Sequence, residues 1–286
     1  MKKLRITFFN VGHGSCTHII TPNNQHWLVD VGTDEDNSVV QFINNYYQLQ
    51  LCGQQIECLF ITHPHKDHIL DLPKLLASPI KPRFLWREKD AFPIENALTP
   101  SDKIVFDSVN AMHAEYSHPV DSFTDPTNAD NNGGVSISIM PTPIAYHKPE
   151  DLNSYSPIII INYVNKKIIL TGDNNKEILK QWIEEGLTLR TAIKDCDILL
   201  APHHGRDTDF CMDFFQLANP RLTIVSDKPK EHESQEKTTE HYRGRGLWVD
   251  GEERYVLTTR TDGNILLTVE ENGTLNIQRS ALPYGY

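Results

Sequence analysis

The sequence lacks any long hydrophobic run. The longest apolar stretches, 156–161 and 198–201, are strand-sized, well short of the roughly 20 residues a spanning helix needs. That excludes a helical membrane anchor within the 286 residues given. The basic start, Met1 to Arg5, is followed by residues 6–10, which read as a strand and not as the apolar region of a signal peptide. The expected compartment is therefore the cytoplasm. Cysteine is scarce: Cys16, Cys52, Cys58, Cys196 and Cys211 make an odd number with no CxxC pair. A disulfide framework and a structural zinc knuckle are excluded, and reduced core thiols are expected. Positive charge is also short, with 27 Lys and Arg against 38 Asp and Glu, a net charge of -11. A sequence-independent DNA binder carries a basic excess, so a nucleic-acid substrate would have to be held by a local patch, by metal ions or by a partner protein. No P-loop, GxSxG or GxGxxG occurs, and Gly12-His13-Gly14-Ser15 lacks the glycine that would make it a nucleophile elbow.

What is present alternates between β-rich and helical stretches. Strands are expected at 4–9, 16–20, 27–32 and 56–61, with a helix over 37–51, where Val40, Ile43, Tyr47 and Leu51 recur at helical spacing. Ile69, Leu72, Leu75 and Leu76 suggest a further helix, with Pro73 in its first turn. Residues 78–134 are rich in Pro, Asn and Asp and read as an irregular insertion near the substrate mouth. Strands return at 135–140, 158–164 and 167–171, with a hairpin turn at Asn165-Lys166. A helix over 175–186, a strand at 197–200, a helix over 210–217 and a strand at 222–226 follow. Residues 228–246 read as a mobile polar segment, and 255–259 with 264–269 as a closing hairpin. Two half-units, each a sheet with helices, describe one domain over 1–286, an α/β fold arranged as an αββα sandwich.

The chemistry gathers at strand ends. His63, His65, Asp67 and His68 lie within six residues directly after a buried strand. Imidazole and carboxylate together suit zinc, manganese or iron. His63 and His65 can converge on one ion, and Asp67 and His68 on a second, the pair sharing a hydroxide. Asp173, in Thr171-Gly172-Asp173, can bridge two ions, although a helix N-cap is the competing role. In Pro202-His203-His204-Gly205 one imidazole can complete the second metal's shell and the other can act on a substrate phosphate or leaving group. Asp30 can accept a bond from a metal-bound histidine, or simply form an Asp-Gly turn. Lys66 and Arg206, adjacent to the metal motifs, can hold a phosphate. His13 is the best further candidate for contact with the site, and His232 the next.

These motifs resemble the metallo-β-lactamase superfamily, whose HxHxDH signature stands intact at His63 to His68. The resemblance covers most of the chain. Asn10 to Ser15, Leu28 to Gly32, Asn153 to Ser156, Thr171 to Asp173, Ala201 to Gly205 and Thr261 to Gly263 are similar to the DVGQGD, LIDAG, NxxS, TGD, PHHG and TDxG segments of one branch. That branch includes the soluble domain of competence DNA-uptake channel proteins and the phosphorylcholine esterases. The resemblance implies two divalent ions, Zn²⁺ or Mn²⁺, and phosphodiester hydrolysis through a metal-bridging hydroxide. By the match, His63, His65 and Asp173 hold one ion, and Asp67, His68, Asp173 and His204 the other. His203 contacts the phosphate, so that Asp67 and His203 are the catalytic residues. His13 stands where the branch often has Gln, Asn10 where it often has Asp, and Arg206 where Ser follows PHHG. The third histidine of β-lactamases proper has no equivalent in the contexts of His113, His118 or His147, which favours phosphodiesters over lactams.

The leading expectation is a phosphodiesterase or nuclease acting on nucleic acid or a nucleotide, with no membrane partner. A second reading keeps the fold and changes the bond to a thioester or lactone, with an acyl pocket supplied by Phe84, Trp86 and Phe92. In a third, the chain is an effector subunit of a defence or DNA-processing complex, active only with a protein partner.

Overall fold

The computed structural model describes residues 2–33, 38–88, 100–148, 150–228 and 233–280. The chain opens with β1 (Lys3–Phe8), β2 (Thr17–Ile20) and β3 (His26–Val29), then α1 (Val39–Tyr47) and β4 (Ile56–Phe60). Next come α2 (Lys66–Ile69), α3 (Leu72–Ala77), β5 (Phe84–Trp86), α4 (Pro100–Glu115) and α5 (Ala129–Asn132). The second half runs β6 (Ser136–Met140), β7 (Ile158–Tyr163), β8 (Lys166–Leu170), α6 (Lys176–Glu185), α7 (Leu187–Ile193) and β9 (Ile198–Leu200). It continues with α8 (Met212–Ala218), β10 (Leu222–Val225), α9 (Thr238–His241), β11 (Leu247–Val249) and β12 (Glu252–Arg254). The chain closes with β13 (Val256–Thr258), α10 (Thr259–Asp262), β14 (Ile265–Glu270) and β15 (Leu275–Arg279).

One sheet has the strand order β15-β14-β1-β2-β3-β4-β5 and the other β13-β10-β9-β8-β7-β6. Their facing sides share one core, in which Ile6, Phe8, Trp27 and Phe60 of the first sheet meet Ile159, Ile161, Leu170 and Ile224 of the second. Helices cover both outer faces. Val39, Val40 and Ile43 of α1 pack with Leu28, Leu59 and Ile61, while Ile178, Leu179 and Trp182 of α6 pack with Ile160, Ile169 and Leu199. Burying each such side chain contributes about 1.5–3 kcal/mol. This is the expected αββα sandwich, and strands buried on both faces explain the unbroken apolar runs. No described helix is long and apolar enough to cross a membrane.

Local chemistry sets the helix starts. Ser38 Oγ caps α1 by accepting from Gln41 N at 3.2 Å, and it donates to Asp71 Oδ2 at 2.7 Å. Asn175 caps α6 by accepting from Ile178 N at 3.0 Å. Pro73 falls in the first turn of α3, where its missing N–H is not needed.

Several expectations need correction. The closing hairpin does not form: β13 pairs in parallel with β10 in one sheet, while β14 pairs antiparallel with β1 in the other. Asp262 Oδ2 accepts from Thr258 N at 2.9 Å, closing 259–262 as a helical turn that carries the chain between sheets. The true hairpin partner of β14 is β15. The β7–β8 turn falls at Val164-Asn165, both at positive φ, one residue before the expected position, because Tyr163 pairs with Lys166. The stretch 78–134, expected to be irregular, contains α4, whose Val105, Phe106, Val109 and Met112 bury against the first sheet's outer layer. In 228–246, expected to be mobile, Gln235, Thr238 and Tyr242 are buried, and Tyr242 packs edge-on against Phe210 and Phe215. His232 and Phe92 lie outside the described residues.

A buried histidine pair lies under α1. His18 Nε2 and His26 Nδ1 are 3.0 Å apart, with Tyr47 edge-on to both rings. Burial, and then the charges around it, hold His18 well below the usual histidine range, and burial with Arg5 lowers His26 to about 4. Both rings are therefore neutral in the folded chain and take up protons near pH 6.5 when unfolded. Their contribution to stability is intact above pH 6.5 and is lost as pH falls from there toward 4. Between pH 7 and pH 5 His26, lowered to about 4, accounts for about 2 kcal/mol of lost stability, and His18 adds to the loss in the same direction. Chemical unfolding at those two pH values is expected to show a smaller loss in a His18→Gln/His26→Gln variant than in wild type. Equal losses would mean that the pair is not neutral when folded.

Candidate metal centre

Strand β4 ends at Phe60, and the next three residues stay buried, so His63 enters the molecule at the end of the first sheet. The short helix α2 then turns Asp67 and His68 back toward it. From the opposite sheet, β8 delivers Asp173 and β9 delivers His203 and His204. The centre thus sits where the ends of both sheets meet.

The distances are short. His68 Nε2 lies 3.2 Å from Asp173 Oδ1, and His204 Nε2 lies 3.2 Å from Asp67 Oδ2 and 3.3 Å from Asp173 Oδ2. One ligand atom from each of Asp67, His68, Asp173 and His204 lies within 4.8 Å of all the others. His63 Nε2 is 3.8 Å from Asp173 Oδ2 and 3.0 Å from His65 Nδ1. Asp173 is thus shared between the His63 side and the His68–His204 side. Asn175, not Asp173, caps the following helix, which leaves the Asp173 carboxylate to the centre.

The outward nitrogens fix which atoms face inward. His68 Nδ1 donates to Asp30 Oδ2 at 2.7 Å, and His204 Nδ1 donates to the Ser226 carbonyl at 2.8 Å. In a neutral ring each Nε2 then carries its lone pair toward the carboxylates. Both Nε2 atoms are buried and, although 3.2 Å from carboxylate oxygens, make no hydrogen bond of acceptable geometry. A lone pair aimed at a carboxylate calls for a cation between them. Without a metal a proton on each ring takes the place of that cation, and the electrostatics show how strongly the carboxylates call for positive charge here. Burial opposes charge on His204, but Asp173 and Asp67 outweigh it and push the ring up to about 10. Burial likewise opposes charge on His68, and Asp173 and Asp30 overcome it. Burial would raise Asp67 and Asp173, yet the histidines beside them hold both carboxyls below the usual range. His63 and His65, lowered chiefly by burial, are neutral imidazoles. The donor set suits zinc, manganese or iron.

Asp30 sits at positive φ, and its buried carboxylate also accepts from Thr62 N and Thr62 Oγ1, both at 2.8 Å. It therefore fixes His68 in place from behind. His203 and His204 are both left-handed, at φ 47° and 54°, a conformation that costs non-glycine residues of order 1–3 kcal/mol each. His203 Nε2 is 3.9 Å from Asp173 Oδ2, and its Nδ1 is 2.8 Å from Asp209 Oδ2. Arg206 is half-buried beside it and donates to Ser234 Oγ at 3.2 Å, while Lys66 is half-buried at the start of α2. His13 Nε2 is 3.5 Å from Asp67 Oδ2. Of the histidines lying between the two metal motifs, His113 accepts from Arg87 Nε, His118 is exposed and His147 meets the Thr142 carbonyl. Asp209, Ser226 and Asp227 are additions that sequence reasoning missed. Nothing in their spacing separates Asp209 from Asp207, and a backbone carbonyl leaves no trace in sequence.

A sandwich of two mixed sheets, with a histidine–aspartate cluster at the sheet ends, defines a class built to hold metal. The chain belongs to the metallo-beta-lactamase superfamily, whose family profile matches residues 10–205. Among solved structures it is similar to the metallo-beta-lactamase fold protein YhfI from Bacillus subtilis, with 11% identity and a TM-score of 0.50 over 94% of this chain and 100% of that one. A long-form RNase Z from yeast matches with 9% identity and a TM-score of 0.47 over 100% and 51%. Unliganded yeast PDE1 matches with 12% identity and a TM-score of 0.43 over 84% and 93%. A search of curated proteins finds no match.

Two glycines set how the metal loop is seated. A Cβ on Gly32 would lie 2.1 Å from the Asp67 carbonyl oxygen, and one on Gly14 2.4 Å from it. Gly32→Ala is expected to destabilise the fold by about 1–3 kcal/mol and to lower bound metal, checked by thermal unfolding and elemental analysis. Asp30→Asn is expected to weaken metal binding by about 10–100-fold, measured by chelator competition, because it loses an acceptor behind His68.

Proposed function

We propose that the chain is a two-metal phosphodiesterase acting on nucleic acid or a nucleotide. The observation that carries the reading is the convergence of Asp67, His68, Asp173 and His204 within 4.8 Å, with Asp173 also reaching toward His63. His63, His65 and Asp173 would hold one ion, and Asp67, His68, Asp173 and His204 the other. When bound, two divalent ions supply Lewis-acid charge to a phosphoryl group and make a water more acidic.

The chain's own residues do the rest. Asp30 and the Ser226 carbonyl hold His68 and His204 with their Nε2 atoms inward. Asp209 Oδ2 stands 2.8 Å from His203 Nδ1 and Nε2 lies on the Asp173 side, so that a ring protonated on both nitrogens would donate from Nε2 to a non-bridging phosphate oxygen. Arg206 and Lys66 flank the two metal motifs, where they can pair with the flanking phosphate of a chain substrate. The choice of phosphorus over an acyl carbon is supported by the TGD and PHHG motifs and by the surroundings of His113, His118 and His147, none of which faces the cluster in the contacts described.

The test is hydrolysis of single- and double-stranded DNA, RNA and bis-p-nitrophenyl phosphate with added Mn²⁺ or Zn²⁺. Wild type is expected to cleave at least one of these, and a His65→Ala/Asp67→Ala variant to lose about 100-fold or more, in line with removal of transition-state charge stabilisation. Hydrolysis of thioesters or lactones alone would replace phosphorus by an acyl carbon. Silence that is lifted by a protein partner would make the chain the catalytic subunit of a complex.

A further inference from the structure

We propose that His13 is an additional metal ligand of this centre, joining Asp67 and His204 on one ion, and that Asp227 is its positioning residue. This rests on the two-metal reading and goes beyond it, since there His13 has no place among the ligands.

The first observation is the spacing. His13 Nε2 lies 3.5 Å from Asp67 Oδ2, close to the 3.2 and 3.3 Å that separate His204 Nε2 from Asp67 and Asp173. Two atoms bound to one zinc ion at about 2.1 Å with tetrahedral geometry stand about 3.4 Å apart. The His13 and His204 rings have centroids 4.5 Å apart and are tilted by 45°, so they flank the Asp67 carboxylate together.

The second observation is what stands behind the ring. A ligating histidine almost always presents its other nitrogen to a carboxylate or carbonyl. His68 has Asp30 and His204 has the Ser226 carbonyl. His13 has Asp227: its Nδ1 is buried, makes no hydrogen bond, and faces Asp227 Oδ1 at 3.7 Å. Asp227 is 1% exposed and is itself held firmly. Its Oδ2 accepts from Gln235 Nε2 at 2.5 Å and from Arg260 Nη1 at 3.1 Å, and its Oδ1 accepts from Lys228 N at 2.9 Å. A buried carboxylate pinned by three donors and aimed at an unsatisfied ring nitrogen needs a purpose beyond packing.

The third is the seating of the loop. Gly12 and Gly14 both take positive φ on either side of His13, and the Gly14 carbonyl accepts from Ser226 Oγ at 2.7 Å. The loop that carries His13 is thus tied to the same Ser226–Asp227 step that orients His204.

Metal binding decides the matter without reference to turnover. Metal-free wild type, His13→Ala, Asp227→Asn and His204→Ala would be titrated with Co²⁺ against a chromophoric chelator, and the visible Co²⁺ spectrum recorded. Wild type is expected to bind two ions. His13→Ala is expected to keep one site and weaken the other by more than tenfold, with an altered spectrum that added imidazole restores. Asp227→Asn is expected to weaken the same site by about 10–100-fold. Because Asp227 is a buried partner of Arg260, its variant is read together with His13→Ala, which changes a half-exposed side chain and leaves that pair intact. A His13→Ala protein with wild-type affinity and spectrum, changed only in KM for a phosphodiester, would overturn the inference and make His13 a substrate contact, with the two-metal centre still standing. Failure of wild type to bind Co²⁺, or wild-type binding by His204→Ala, would remove the centre itself and the inference with it.

Discussion

The centre depends on a backbone contact. The Asp67 carbonyl is pressed between Gly14 and Gly32, accepts from Ser15 N at 3.1 Å, and leaves no room for a Cβ on either glycine. Gly32 N in turn donates to the Ser15 carbonyl at 2.8 Å, and Val31 N to the His68 carbonyl at 2.8 Å. These bonds lace the turn after β1, the end of β3 and the metal loop after β4 into one unit. Three strands of one sheet thereby fix the height and direction of His63, His65, Asp67 and His68 before any ion is considered. Side chains between the backbones would push the loop out from the sheet ends and break the alignment with Asp173 and His204 on the other sheet.

The second sheet answers with strain instead of close packing. His203 and His204 both lie in the left-handed region, which non-glycine residues avoid, and the turn holds because it is bonded on each side. His204 Nδ1 donates to Ser226, and Thr238 Oγ1 donates to the Gly205 carbonyl at 2.7 Å. The segment around Thr238 thus serves as a brace under the histidine turn, which explains why its Gln235, Thr238 and Tyr242 are buried despite a polar sequence. Strain held in place by packing of this kind points two adjacent histidines to different tasks, one into the carboxylates and one toward Asp209.

How far the sequence could be read follows from the range of each interaction. The strands buried on both faces, the α1 and α6 helices and the HxHxDH loop were legible, because their signals lie within a few consecutive residues. Asp173 and His204 were legible as candidates because each ends a buried strand. Asp209 and Asp227 were not, since each becomes meaningful only when a histidine from elsewhere in the chain packs against it. The end of the chain misled for the same reason. Residues 255–259 and 264–269 look like hairpin arms, yet the Asp262 side chain closes the intervening turn and sends the two strands to different sheets. Helix α4 was hidden because its buried stripe of Val105, Phe106, Val109 and Met112 lies among polar residues and depends on the α2–α3 layer for cover.

The acidic balance of the chain then acquires a consequence. With a net charge of -11 and Asp30, Asp67, Asp173 and Asp209 gathered around the centre, offset there chiefly by His68 and His204, the chain's own field gives an anionic substrate little attraction to the unloaded site. Lys66 and Arg206 are too few to make that field attractive, and Arg206 is already bonded to Ser234. In the proposed reading two divalent ions bring about four positive charges against the two carboxylates that hold them, which turns the local field attractive. Metal loading would therefore govern substrate association as well as chemistry. The same field gives the pinned Asp227 a second effect: its charge is already matched by Arg260, so it can orient His13 without adding net negative charge at the mouth.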